Sequence, residues 1–337
     1  MAFLDMAAEL SQAIPGMSRI YAKTLINRAW RVVRDSTLWS FQLKIGSFST
    51  PGIVYAGTVT TPSLPSPPII IGDAAATAAW AAITFPFITQ YQFRVGNYSI
   101  YNILKYDTVT YAPFAALTLD RPFVDPVLGT SNNAYQILQA YYPAPSKTFK
   151  RWLSVQDVVN GYGLGIWTSR RDVNWADPMR QILTDPVVIF GIGQDTRPLS
   201  ATPGWQMYEM WPTPTSQISY MTYYVDRGAD LVLNQDQLPE PITEDLVLTK
   251  ARVYSYEWAE SRKDVMAAKG SGANYSVLWK EAEAAFLARL KMLRITDKDN
   301  VDAFMSQMQS SQAGFAVNPW YNSSTSRAGM GWPVGLY

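Results

Sequence analysis

At 337 residues, 48% hydrophobic and 16% charged, the chain is long enough for about two globular domains with sizeable cores. Its 28 Lys and Arg against 27 Asp and Glu leave no net field to hold a polyanion or an anionic membrane surface, which disfavours nucleic-acid binding as a main function. The sequence has no Cys and no His, so disulfides, thiolate nucleophiles, structural zinc and the commonest general base are removed together.

Phe3, Met6, Leu10 and Ala13 recur at helical spacing and predict a short helix over 2–14, ended by Pro15-Gly16. Asp5 and Glu9 stand where a secretory signal would carry basic residues, so no export is expected. A long helix follows, with Ser18 as N-cap. At about 100° per residue, Tyr21, Leu25, Ala29, Val32 and Val33 fall on one side. Lys23, Asn27, Arg31 and Arg34 form a polar stripe on the other, flanked by Ile26 and Trp30. Large apolar groups beside a charged stripe predict that a second surface of this helix is covered, as in an assembly subunit.

From about Leu43 the texture changes to β-branched and aromatic runs split by Gly, Pro and Asn, which read as strands of an antiparallel unit. Within it, Asp73 is placed to cap one or two helical turns. The most apolar run, 74–88, is interrupted by Thr77, Thr84 and Pro86 and is too short to span a bilayer; the chain is expected to be soluble. Residues 204–226 predict a β-hairpin turning at Pro212-Thr213-Pro214.

Helical periodicity returns after Pro241, with Thr243 as N-cap and Glu244 and Asp245 in the first turn. Val247, Ala251, Tyr254 and Trp258 share one face, widened by Leu246, Val253 and Tyr256 into an arc that implies contact on two sides. Asn274 is placed to cap a second helix running to about Leu293, with Tyr275, Leu278, Ala282, Phe286 and Leu290 inward. A third short helix carries Val301, Phe304, Met305 and Met308. Beyond Gln312 the chain becomes Ser, Gly and Asn with isolated Phe315, Trp320, Tyr321, Trp332 and Tyr337, a composition that cannot fold alone but suits docking in a partner's groove.

Motifs for chemistry are sparse. The Gly-rich run 161–165 lacks the Lys-Ser/Thr of a phosphate-binding loop and reads as a turn. Asp297 and Asp299 precede the third helix and read as caps rather than cation ligands. Glu209 and Asp226 are the carboxylates to test first for glycoside hydrolysis. Lys147, Lys150, Arg151, Arg170 and Arg171, interleaved with Phe149, Trp152 and Trp167, read as a solvated loop or subunit salt bridges. No cofactor and no metal are expected.

The stretch "LINRAWRVVRDSTLWSF" after "IPGMSR" resembles the first long helix of head-to-tail adaptor proteins of tailed bacteriophages, including the tail tubular protein A type. The matching positions are Asn27, Trp30, Arg31, Trp39, Ser40 and Phe41. "TLDRPF", "YYPAPSKTFKRWLSV", "YEMWPTPT" and "LPEPITEDLVLTKARVYSYEW" follow in the family's order. The resemblance implies an α+β fold: a helical bundle from N- and C-terminal helices with an inserted antiparallel β domain and a β-hairpin. On this sequence it divides into 1–45 with 240–312 as a discontinuous helical core, 46–142 as the inserted β domain, 143–239 as the hairpin and loop region, and 313–337 as an extended tail.

The function so implied is that of a structural virion protein, not an enzyme. Copies form a ring, dodecameric in the family, at the virion neck between portal protein and tail nozzle or tube, and continue the DNA channel. The chain would be made in the host bacterial cytoplasm; genomic DNA passes without specific binding and no membrane is engaged. Ile26, Trp30, Arg31, Trp39, Tyr254 and Trp258 are the expected core and subunit-interface residues. Phe315, Trp320, Tyr321, Trp332 and Tyr337 are the expected portal anchors. The long β region leaves open whether it braces neighbours, holds tail fibres or faces solvent. Competing readings are a carbohydrate-binding or fibre-attachment β module and, behind it, a carboxylate-dependent glycosidase.

Overall fold

A computed structural model describes residues 2–83, 91–167, 170–178, 180–196, 202–264 and 274–313. The chain is mixed α+β, and its contacts divide it into two compact units. The first joins Met1–Lys44 to Val225–Ser310; the second holds Ile45–Tyr224.

Helices build the first unit. Helix α1 (Phe3–Ala13) buries Phe3, Met6, Ala7 and Leu10, the one-face spacing of an amphipathic helix. In α2 (Arg19–Asp35) the Ser18 side chain accepts from the Tyr21 backbone N–H, and Ala22, Leu25, Ile26, Ala29, Trp30 and Val33 are buried. Helix α5 (Glu244–Glu260) packs against both α1 and α2 and is buried nearly all round in its first half. Phe286 and Leu290 of α6 (Tyr275–Ala313) reach the same core, and the Lys250 ammonium of α5 bonds both oxygens of Glu283.

Helix α6 corrects one expectation. Its 39 residues continue without a break where a turn and a third helix were expected near Asp297. A carboxylate caps a helix only where N–H groups lack intrahelical partners. Here the helical ladder runs on, so the buried Asp297 carboxylate accepts instead from the backbone N–H and hydroxyl of Ser40, at the start of a 3-10 turn (Ser40–Gln42).

The second unit is built from strands in three sheets. One has six: β2 (Val59–Thr60), β3 (Ile69–Gly72), β4 (Gln92–Val95), β5 (Tyr101–Asp107), β6 (Ala116–Leu119) and β7 (Tyr135–Leu138), in the order β2-β3-β6-β5-β4-β7. Its core includes Trp80 of helix α3 (Ala74–Ala81), whose N-terminus Asp73 caps through the Ala76 N–H, and a short helix α4 (Arg171–Ala176) follows later in this unit. The Ala76 bond and those from Thr58 hold the Asp73 carboxyl below the ordinary range.

The other two sheets have four strands each. The first orders β1 (Leu43–Thr50), β14 (Ile218–Asp226), β9 (Phe149–Asp157) and β10 (Tyr162–Gly163). The second orders β11 (Gly165–Trp167), β12 (Val188–Gln194), β13 (Gln206–Trp211) and β8 (Tyr141–Pro143), with β11 parallel to β12. Both contribute to one aromatic-rich core, where Phe48, Tyr142, Trp152, Tyr208 and Tyr220 meet.

The expected hairpin over 204–226 does not form: β13 and β14 lie in different sheets. Pro212 and Pro214 offer no N–H to a hairpin ladder. Between them Thr213 is buried and exchanges both backbone bonds with the segment at Ile182 and Thr184, while the Ile218 N–H donates to the Thr50 hydroxyl. Tertiary partners on both sides therefore draw the strands apart. The first strand also begins at Leu43 and pairs with β14, so residues 46–50 belong with that later strand rather than with the six-stranded sheet.

Candidate interaction surfaces

The polar stripe of α2 is the best-defined polar surface of the helical unit, and its partner is the segment 228–234 of the same chain. The contacts run in opposite senses along the two segments. Lys23 donates to the Asn234 side-chain oxygen at 2.5 Å. Asn27 and Leu231 exchange two bonds, side-chain N–H to carbonyl at 2.8 Å and backbone N–H to Asn27 Oδ1 at 3.0 Å. Trp30 Nε1 donates to the Ala229 carbonyl at 3.0 Å, and Arg34 Nη1 donates to the Gly228 carbonyl and to Asp230, each at 3.1 Å. Arg31 pairs with Asp230, whose carboxyl that hydrogen bond holds below the ordinary range.

This arrangement explains the flanking apolar groups. Ile26 and Trp30 are fully buried inside their own chain, so they are not a shoulder left for a neighbour. Trp39 is likewise buried, its Nε1 donating to the Val33 carbonyl, and Phe41 packs on Trp30 with ring centroids 5.7 Å apart. Tyr254 and Trp258 are half-buried against the same core, Tyr254 under the Arg28 guanidinium at 4.0 Å and Trp258 beside Tyr21 at 5.5 Å. Of the six expected interface residues only Arg31 is largely exposed, at 58% of its side chain. The expected anchors Phe315, Trp320, Tyr321, Trp332 and Tyr337 lie outside the described residues.

An open apolar surface lies instead on α6. At about 100° per residue, Phe286, Leu290, Leu293, Asp297 and Met308 face inward, and Val277, Ala284, Ala288, Met292 and Ile295 fall on the opposite side. Met292 is 67% exposed and Ile295 60%, and Leu287 flanks them at 54%. Four of these five positions lie within the helix expected over 274–293, of which the sequence pattern singled out only the inward face.

Beside Ile295 a groove of about 380 Å³ opens between α6 and the segment after α2, lined by Thr37, Leu38, Trp39, Arg294, Ile295, Asp297, Lys298 and Val301. Arg294 Nη2 bridges its walls by donating to the Ser36 carbonyl at 2.7 Å.

In the strand-built unit, Glu209 is completely buried and pairs with Arg180 and, at 3.0 Å, with Arg170. Arg180 adopts φ 53°, in the left-handed region, and also bonds the Asp177 carbonyl and Asn174. Asp177 accepts from the backbone of Gln181 and Ile182 and from Trp211 Nε1. A carboxylate enclosed by two guanidiniums with no exposed surface ties strands and loops together and offers a sugar no approach. Asp226 takes the Gly228 N–H at 2.8 Å. In the cationic run near β9, Lys150 and Arg151 are exposed, while Trp152 is buried and Phe149 packs on the core. Among the described residues no helix is long and apolar enough to cross a membrane.

No family model and no curated protein matches this chain.

Proposed function

We propose that the chain is a structural virion protein of a tailed bacteriophage, a head-to-tail adaptor that assembles as a ring, dodecameric as in the family it resembles, between portal and tail. In this reading the finer architecture is a helical bundle of the chain's two ends carrying the strand-built unit as an insertion. The observation that carries it is the stripe Val277, Ala284, Ala288, Met292 and Ile295 on the outer side of a helix about 58 Å long. Exposed apolar side chains gathered on one helix face, continuous from Ala284 to Ile295 and separated from Val277 by Glu281, suit a protein contact. Further exposed apolar side chains of the same unit are Ile20, 81% exposed, and Val232 and Leu233 of the segment bonded to α2. Exposed apolar groups on different elements of one unit suit a head-to-tail contact that closes by rotation. The α2 face no longer supports the reading, since its own chain covers it.

The test is light scattering after size exclusion, with and without purified portal rings. The intact chain is expected to join the portal as a ring. Met292→Asp is expected to fold and to lose ring closure, and removal of 313–337 to lose the portal. An intact chain that stays monomeric with portal present would refute the assignment. Trp175, 82% exposed, favours a second reading in which the strand-built unit stacks on sugar rings of a fibre or cell surface. Glycan-array binding lost on Trp175→Ala would move the assignment there.

A further inference from the structure

The groove beside α6 has a chemistry that the ring reading does not use. Leu38, Ile295 and Val301 give it an apolar floor and wall, with Trp39 buried beneath them. Arg294 and Lys298 stand on its rim, and Lys291 lies one turn before Arg294 on the same flank of α6. Lys291 and Lys298 form no ion pair among the described residues, and all three cations are exposed. The one carboxylate in the lining, Asp297, is buried and bonded to Ser40 and Asn300; exposed Asp302, one turn after Lys298, lies beyond the lining and forms no ion pair with that lysine among the described residues. At about 380 Å³ the groove sits at the lower end of the roughly 300–1,000 Å³ typical of binding pockets, room for one or two large side chains.

We propose that this groove docks an acidic peptide segment of a partner protein: one that places an aromatic or leucine side chain on the Leu38–Val301 floor and carboxylates against Lys291, Arg294 and Lys298. Charge complementarity selects the occupant. The chain's own residues 314–337 contain no Asp or Glu and one Arg, so they match the floor but not the rim. A phosphate backbone would match the rim and leave the floor empty. The inference goes beyond the ring reading and stands or falls without it.

The probe is the peptide Glu-Asp-Leu-Trp-Asp-Glu, blocked at both ends and labelled for fluorescence polarisation, titrated with the full chain. Binding that weakens by about tenfold or more with Lys298→Glu, with Thr37→Trp filling the groove, and with the Gln/Asn version of the peptide would support the proposal. Equal binding of the amide version, or indifference to both variants, would overturn it. So would tighter binding of a short DNA duplex than of the peptide. A chain ending at Ala313 that binds the peptide about tenfold better than the full chain would show the groove already held by its own C-terminal segment, and would overturn the proposal as well.

Discussion

Helices α2 and α6 begin from the same physical situation and end differently. Each has one apolar face in the core shared with α5, and each carries large apolar groups on a further side. On α2 that further side is closed by 228–234, which answers each polar group of the stripe with a specific partner and buries Ile26 and Trp30 beneath them. On α6, Met292 and Ile295 remain in solvent. An apolar group beside a polar stripe is therefore no guide to an intermolecular contact until the chain's own loops have been placed.

Substitutions on the two helices turn that difference into numbers. The largest effect is expected at Trp30→Ala, which leaves a cavity in the core and an unmet Ala229 carbonyl. A loss of about 3–5 kcal/mol in denaturant unfolding is expected, and a loss below about 1 kcal/mol would mean that the segment over α2 is loosely held. Next is Asp297→Ala, on the inward side of α6, which removes the buried acceptor from the half-buried start of the 3-10 turn. It should cost about 1–3 kcal/mol, read by the same unfolding curves.

Smaller still is Arg31→Ala, because a pair with an exposed guanidinium contributes about 0–1 kcal/mol. The linked acid dependence has a definite sign. The Asp230 carboxyl is held low in the folded chain by Arg31, so its contribution is complete above the ordinary unfolded value of about 3.9 and disappears as pH falls through the lower folded value. Asp230→Asn should flatten the fall in melting temperature between neutral and strongly acidic solution; an unchanged fall would assign it to other carboxylates. The smallest stability effect, within about 0.5 kcal/mol, is expected at Met292→Ser on the open side of α6. If that substitution instead unfolds the chain at the level of Trp30→Ala, the open stripe is core after all.

Local signals were legible wherever the physics is local. Ser18 and Asp73 cap the helices that the pattern assigned them, and α1 and α5 lie where periodicity placed them. Two departures share one cause. Asp297 has the chemistry of a cap and Pro212-Thr213-Pro214 that of a turn, yet each was claimed by a distant partner: Ser40 for the carboxylate, Ile182 and Thr184 for the Thr213 backbone. The Arg180–Glu209–Arg170 cluster was likewise invisible, because ion pairs between residues 29 or more apart leave no periodic trace.

The places of α1, α2, α3 and α5 and the polar stripe of α2 follow from the sequence alone, since i to i+4 geometry and capping are settled within a few residues. Which apolar surfaces end up inside was decided only by tertiary structure. Covering Trp30 required a segment about 200 positions away in the chain, whereas among the described residues no such segment covers Met292. Burial is a property of the whole packed surface, and no window along the chain contains it.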